Sequence, residues 1–424
     1  MSRPREKGLV SILREFSLPL LAGVLLALLH ANLDLAGYRR VVEWEPFPGA
    51  GLFGRPVTLL FLINDVFMAF FFGMAAKEIT EACLPGGDLN PLRKAVNPLV
   101  ATVGGVLGPI AVFFALLSLL HASGAFPPER SFAELARGWG IPTATDIALA
   151  WLVARAVFGA GHPAINFLLL LAVADDGIGL AIIALFYGDP AHRLAPLWLL
   201  LVLLAMGLAA LLRARGVRSW QAYVFTAGPV AWSGLMLANL HPALALVFVV
   251  PFLPGPSRDT GLFAAEDEVD AAQGGAPGAP PPQHSPLHRF ERALKLPVDL
   301  GLFLFAYANA GVAFTQSGPM TWIILASLGV GKTAGITAFA LGARALGFPL
   351  PDRMGKKELV AAAFVASVGL TVALFVAGAA FPDPALQGPA KMGALLSGLL
   401  GVVAVLCAGP LGLRGGRPGA GSRR

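Results

Sequence analysis

Two adjacent acids, Asp175 and Asp176, lie near the centre of an apolar segment covering residues 167–187, which is long enough to span a bilayer. An ionised Asp at the bilayer centre costs about 2.5–3.5 kcal/mol, so a pair of them needs a reason. One interpretation is a site for cations or protons, and the other is a buried pair held by structural hydrogen bonds. Consecutive helical residues point about 100° apart, so the two carboxylates face different directions unless the helix unwinds.

A third acid, Asp146, follows Pro142 and Thr145 in the apolar stretch IPTATDIALA. Proline and β-branched threonine so close together predict an interrupted helix, and such breaks occur inside membranes where they line a cavity. Freed carbonyls and the Thr145 hydroxyl would offer the oxygen ligands that hard cations prefer. The alternative is that Asp146 merely caps the N-terminus of a half-helix, and the two roles are compatible.

A single base, Lys332, lies inside another apolar stretch, between Gly331 and Gly335. The glycines allow a neighbouring helix to approach closely. The lysine would be the charge partner of a buried Asp, or would carry a proton itself. The alternative is a side chain that snorkels to the interface. Three buried acids and one buried base indicate a route for cations or protons.

The composition indicates what surrounds these residues. Of the 424 residues, 56% are hydrophobic and only 13% are charged, against roughly 25% in soluble domains. The mean hydropathy is +0.72. We therefore predict an all-α polytopic membrane protein. The net charge of +6 then concerns orientation in the membrane and not nucleic-acid binding, and two cysteines make no disulfide framework.

About twelve apolar stretches have the length of a membrane helix, although the eighth is short for a crossing. Twelve crossings put both termini on one side. Lys and Arg are more frequent in the termini and even-numbered loops, which predicts that both termini are cytoplasmic, in the cell inner membrane. The stretches are 15–34, 57–79, 95–121, 140–157, 163–187, 194–213, 220–238, 241–254, 297–314, 320–346, 357–381 and 389–411.

One segment, residues 255–287, is polar, acidic and rich in Pro and Gly, and contains EDEVDAAQGGAPGAPPPQHSP. It has too few apolar residues to fold alone, so we expect a disordered cytoplasmic loop. It separates eight membrane helices in 1–254 from four in 288–413. Residues 414–424 would form a basic cytoplasmic tail.

Together these residues resemble the NhaA-type sodium/proton antiporters, from position 65 to position 409 with a gap at the loop. The Thr-Asp and Asp-Asp motifs and the later Lys are specific in combination. The matching pieces follow the family's order: LINDVFMAFFFGMAAKEI, IPTATDIALA, LAVADDGIGLAIIALFY, LFAYANAGVAF, GVGKTAGI and GLTVALF.

The resemblance implies inverted repeats and two discontinuous helices that cross near Thr145 and Gly369. Asp146 would balance the positive N-terminal ends of the half-helices, and Lys332 the negative C-terminal ends.

The same resemblance makes Asp175 and Asp176 the cation-binding pair, hence the ligands of Na⁺, with Asp175 paired to Lys332. It implies exchange of Na⁺ (or Li⁺) for H⁺ by alternating access. The exchange would be electrogenic, with two protons per sodium and no cofactor.

Glu78, His241 and Glu291 occupy positions that the family links to its pH response. The family usually continues after this glutamate with a Lys-Arg-Glu cluster, whereas this chain has Thr-Glu-Ala at 80–82. The resemblance also implies a homodimer built through a hairpin between the first two spans, where this chain is short.

Two rival functions remain open from the residues alone. A Na⁺-coupled carrier of another substrate, with the same fold, would need extra polar or basic groups at the broken helices, and Lys332 is the one such group we identify. An intramembrane aspartyl protease would carry a Gly-x-Gly-Asp motif, which the chain lacks, since the order in ADDGIG is reversed. We therefore predict a transporter and not an enzyme.

Overall fold

A computed structural model describes residues 18–49, 51–84, 92–159, 161–188, 194–255, 285–351 and 354–413. The described part is mostly helical. Nearly all of the expected loop 255–287, and the whole of the expected tail 414–424, lie outside the described residues. The disorder expected of both therefore stays a prediction.

The helices follow one another along the chain with short connections, and a two-residue antiparallel hairpin, β1 (Gly51–Leu52) and β2 (Arg55–Pro56), lies between the second and third. The helices are α1 (Leu18–Leu33), α2 (Leu35–Val42), α3 (Leu59–Ala82), α4 (Leu92–Ala122), α5 (Phe132–Thr143), α6 (Ile147–Phe158), α7 (Pro163–Phe186), α8 (Pro196–Ala214), α9 (220–237), α10 (Pro242–Phe252), α11 (Pro286–Ala310), α12 (Pro319–Ala345), α13 (Lys356–Val365), α14 (Thr371–Ala380) and α15 (Pro384–Ala408).

Among the described residues, seven helices are long and apolar enough to cross a membrane, or eight if α5 and α6 count as one span bent by 51°. The chain is therefore a multi-pass membrane protein. Each remaining expected span overlaps a shorter or interrupted helix. The short eighth span, for example, is a 3₁₀ helix, α10, whose rise of about 2.0 Å per residue covers more distance than an α-helix would.

One helix begins well before the expected boundary. The stretch at 297–314 lies in α11 as far as Ala310. This helix starts at Pro286, where the Ser285 hydroxyl accepts a hydrogen bond from the backbone N–H of His288 at 3.3 Å. The first turns of α11 are charged, so hydropathy alone marks only its apolar part. Pro297 lies inside the helix and does not end it.

The described chain forms two compact units. The first holds 1–95 and 176–315, and the second 96–175 and 316–424, so the boundary falls within the continuous helix α7. In the first unit α1 packs on α11 so closely that a Cβ on Gly23 would lie 2.4 Å from the carbonyl oxygen of Phe303. In the second unit α15 packs against α6, α12 and α14.

Candidate ion site

Lys332 ends a π-helical turn, Ser327–Lys332, within α12, and its side chain has no exposed surface. Its ammonium donates hydrogen bonds to Oδ2 of Asp175 at 2.6 Å and to the carbonyl oxygen of Thr143 at 2.5 Å. The lysine therefore does not snorkel to a surface. It joins a buried carboxylate to the last residue of α5, where carbonyls lack intrahelical partners.

Four glycines let α4 press against this part of α12. A Cβ on Gly108 would lie 2.2 Å from the carbonyl oxygen of Gly331, and one on Gly104 would lie 2.3 Å from that of Gly335. A Cβ on Gly335 would likewise lie 2.0 Å from the carbonyl oxygen of Gly104. No side chain fits at these distances, so glycines on both helices set how closely the lysine-bearing turn packs against α4.

Asp146 lies in the break between α5 and α6 and is 4% exposed. Its Oδ1 accepts the backbone N–H of Leu149 at 3.1 Å, and its Oδ2 accepts that of Thr371 at 3.3 Å. One carboxylate thus faces the N-terminal ends of two helices, α6 and α14, where the positive ends of the helix dipoles lie. The same two hydrogen bonds therefore cap the helices and compensate the charge of Asp146.

Two non-helical links, 144–146 and 366–370, touch each other beside Asp146. The Thr145 hydroxyl donates to the carbonyl oxygen of Ala366 at 2.9 Å, and the backbone N–H of Asp146 donates to that of Val368 at 2.8 Å. A Cβ on Gly369 would lie 2.6 Å from the carbonyl oxygen of Ala144, so this close approach requires glycine. The links satisfy each other's backbone groups, which buried irregular backbone requires.

Asp175 and Asp176 occupy consecutive positions of α7, which stays helical through both. Asp175 is 1% exposed, whereas Asp176 is half-buried. Oδ1 of Asp175 is buried and has no hydrogen-bond partner among the described residues. An unpartnered carboxylate oxygen is available to a cation or a proton, and Oδ2 is already held by Lys332.

The three residues expected at the pH response do not all come together. Glu78 and Glu291 meet at the ammonium of Lys77, at 3.2 and 2.6 Å. His241 instead faces Asp65, with its Nδ1 3.7 Å from Oδ1. Asp65 and Lys77 both lie on α3, about 18 Å apart at 1.5 Å per residue.

Two buried lysines were absent from the sequence candidates. Lys77 is 3% exposed, and Lys391 in α15 is 8% exposed. Both lie near the ends of apolar stretches, where lysines usually mark a loop. For Lys77 a signal existed, because Glu81 lies four residues later, at helical spacing from it.

Comparison with known proteins decides the family. Residues 13–408 match the family model described as Na⁺/H⁺ antiporter 1. The chain belongs to this family. It is 56% identical over 406 residues to the Na(+)/H(+) antiporter NhaA of Geobacter sulfurreducens, covering 96% of this chain and 98% of the relative. It is 52% identical over 410 residues to that of Desulfitobacterium hafniense, covering 96% and 97%. The resemblance given by the motifs is thereby confirmed.

A likeness to a solved structure is weaker. The sodium proton antiporter MjNhaP1 from Methanocaldococcus jannaschii at pH 8 superposes with a TM-score of 0.48 and 13% identity, over 96% of this chain and 98% of that one. This likeness is too low to bear on the fold.

Proposed function

We propose that this protein exchanges Na⁺ (or Li⁺) for H⁺ across the cell inner membrane, electrogenically, with a pH-dependent rate and by alternating access. Family membership supports sodium/proton antiport. The observation that carries the site assignment is the buried contact between Lys332 and Asp175, with the second oxygen of Asp175 left unpartnered in the described chain.

In this proposal Asp175 and Asp176 are the ligands of Na⁺. Hard cations prefer oxygen ligands, and Oδ1 of Asp175, which accepts no hydrogen bond among the described residues, is one. Na⁺ at Asp175 would compete with the Lys332 ammonium for the same carboxylate. Binding of Na⁺ would then favour loss of the lysine proton and of a proton from Asp176, and rebinding of two protons would expel Na⁺. This competition couples the two flows at two protons per sodium.

Asp146, Thr145 and Lys332 have the supporting role of balancing charge where the links meet. The hydrogen bonds of Asp146 to two helix N-termini support the assignment for the acid, and that of Lys332 to the carbonyl of Thr143 supports it for the base. Glu78, His241 and Glu291 are the proposed pH-responsive residues.

The proposed architecture has twelve crossings with inverted repeats, in which α5 with α6 and α13 with α14 are the two discontinuous helices. Both pairs are interrupted beside the carboxylate of Asp146, and this supports the assignment of the two discontinuous helices. We propose that both termini, the segment 255–287 and the tail 414–424 are cytoplasmic. The protein would act in the lipid bilayer, as a homodimer, without cofactor, enzymatic activity or nucleic-acid partner.

Proteoliposomes with an internal pH dye test the proposal. Adding Na⁺ outside should drive H⁺ movement that depends on pH, and Asp175→Asn and Asp176→Asn should each abolish it while the protein still inserts. Thr80→Val is a matched control, since among the described residues its hydroxyl bonds the carbonyl of Ala76 in its own helix and no other group. Na⁺ uptake without H⁺ movement would instead favour the carrier of another substrate, and wild-type exchange in either Asn variant would overturn the site.

A further inference from the structure

Lys77 is surrounded by carboxylates from two helices. On its own helix α3, Oε2 of Glu81 lies 2.7 Å from its ammonium and Oε1 of Glu78 lies 3.2 Å away. From α11, Oε2 of Glu291 lies 2.6 Å away. The lysine side chain is 4% exposed and that of Glu81 is 7% exposed, so the centre of this cluster is shielded from water.

In the described part of the chain, two further basic groups act on the cluster. His288, also on α11, has its Nε2 3.5 Å from the remaining oxygen of Glu81, and Lys295 acts electrostatically on Glu291. Helix α10 packs on α3 and carries no charged residue. Helix α7 approaches α3 at Gly177, where a Cβ would lie 3.5 Å from Cδ1 of Ile79. The charged residue of α7 next to this contact is Asp176, which precedes Gly177 in the sequence.

A single ammonium is therefore shared by three carboxylates. Like charges this close disfavour one another's ionisation, and a nearby opposite charge favours it. Lys77, in contact with all three, favours the ionised form of Glu78, Glu81 and Glu291, whose charges otherwise disfavour one another. Because Glu291 belongs to α11 and the others to α3, the same ammonium also joins these two helices.

We propose that Lys77 is a positioning residue for the pH response of transport. This inference rests on the proposed function, in which Glu78 and Glu291 take part in the pH response. Protonation of these carboxylates weakens the contact between α3 and α11, and Lys77 sets the pH at which this happens.

The test is the pH profile of Na⁺-driven H⁺ movement in proteoliposomes, from pH 6 to 9, with melting temperature measured alongside. Without the ammonium, the crowded carboxylates keep their protons to higher pH. We therefore expect Lys77→Met to move the profile midpoint upward by about one pH unit or more. Lys77→Arg retains the charge and should restore the midpoint most of the way. Thr80→Val, on the same helix, should leave it unchanged.

Should Lys77→Met fold poorly, the double variant Lys77→Met/Glu81→Gln removes one acid together with the base and leaves Glu78 and Glu291 in place. We expect it to fold and still to show the upward shift. A folded single or double variant with the wild-type midpoint would overturn the proposal. If its melting temperature were lower, Lys77 would stabilise the fold without setting the pH response. Absence of Na⁺-driven H⁺ movement in the wild-type protein would instead contradict the proposed function.

Discussion

Replacing Lys332 with Ala removes two contacts at once. Asp175, which is 1% exposed, loses the ammonium that compensates its charge, and the carbonyl of Thr143 loses its hydrogen-bond donor. Breaking one side of a buried ion pair typically costs about 3–5 kcal/mol, because the remaining charge is left uncompensated. An unpartnered buried carbonyl costs about 1–3 kcal/mol. The ion pair is thus the larger effect, and a clear fall in melting temperature in detergent is expected.

The volume of the side chain must be separated from its charge, since Lys332 is among the largest fully buried side chains in the described chain. Lys332→Met fills most of the space without the charge and should be almost as unstable as Lys332→Ala. Adding Asp175→Asn to Lys332→Ala removes the uncompensated charge and should recover much of the loss. Lys332→Arg should recover stability, but not charge movement if the lysine carries a proton, because a guanidinium does not deprotonate in proteins.

The assay combines melting temperature with the membrane potential generated in proteoliposomes by a Na⁺ gradient. We expect Lys332→Ala to be less stable and either electroneutral or inactive. A variant unaltered in both measurements would refute the reasoning that this lysine is the charge partner of Asp175. A stability loss that Asp175→Asn does not relieve would trace the effect to packing instead.

Four further outcomes are expected. Asp176→Asn should abolish exchange in a protein that still inserts, measured by Na⁺-induced pH change, because the amide keeps the shape but loses the charge. Asp146→Asn should lower stability by about 1–2 kcal/mol and weaken apparent Na⁺ affinity without abolishing exchange, since it faces two helix N-termini; unchanged affinity would leave only a capping role. Deleting 264–282 should preserve exchange and its pH profile, because its composition offers little apolar surface to bury. The pKa of Asp383 is lowered by a backbone N–H at the start of α15 and by Arg130. Its small stabilising effect should therefore be present at neutral pH and be lost as pH falls through that lowered pKa, and melting curves of Arg130→Gln should show less of this acid sensitivity.

How much of the site could be predicted differs from residue to residue. The cost of an ion in hydrocarbon singled out Asp146, Asp175 and Lys332, because it depends only on residue type and depth in an apolar stretch. Periodicity could not pair Lys332 with Asp175, which lies 157 positions away, and the family resemblance supplied that pair. Nothing local in the sequence indicated that one carboxylate would serve the N-termini of both α6 and α14.

The boundaries and the missed residues have a common cause. Hydropathy marks the apolar layer, so α11 was expected from 297 although it begins at Pro286 with charged turns. For the same reason, hydropathy places a lysine near the end of an apolar stretch in a loop. Lys77 is instead buried, because acids on its own helix and on α11 surround it. Of these contacts, only that between Lys77 and Glu291 on α11 needed the tertiary structure to be found.

The two buried acids of the second unit solve the same electrostatic problem in different ways. Asp146 is compensated by backbone N–H groups, which neither leave nor give up a proton, and both of its oxygens are used. Asp175 is compensated by an ammonium that can give up a proton, and one of its oxygens is unpartnered in the described chain. Only the second arrangement can exchange one positive charge for another without rebuilding the backbone. Exchange should therefore depend absolutely on Asp175, its charge movement on Lys332, and its rate only in degree on Asp146.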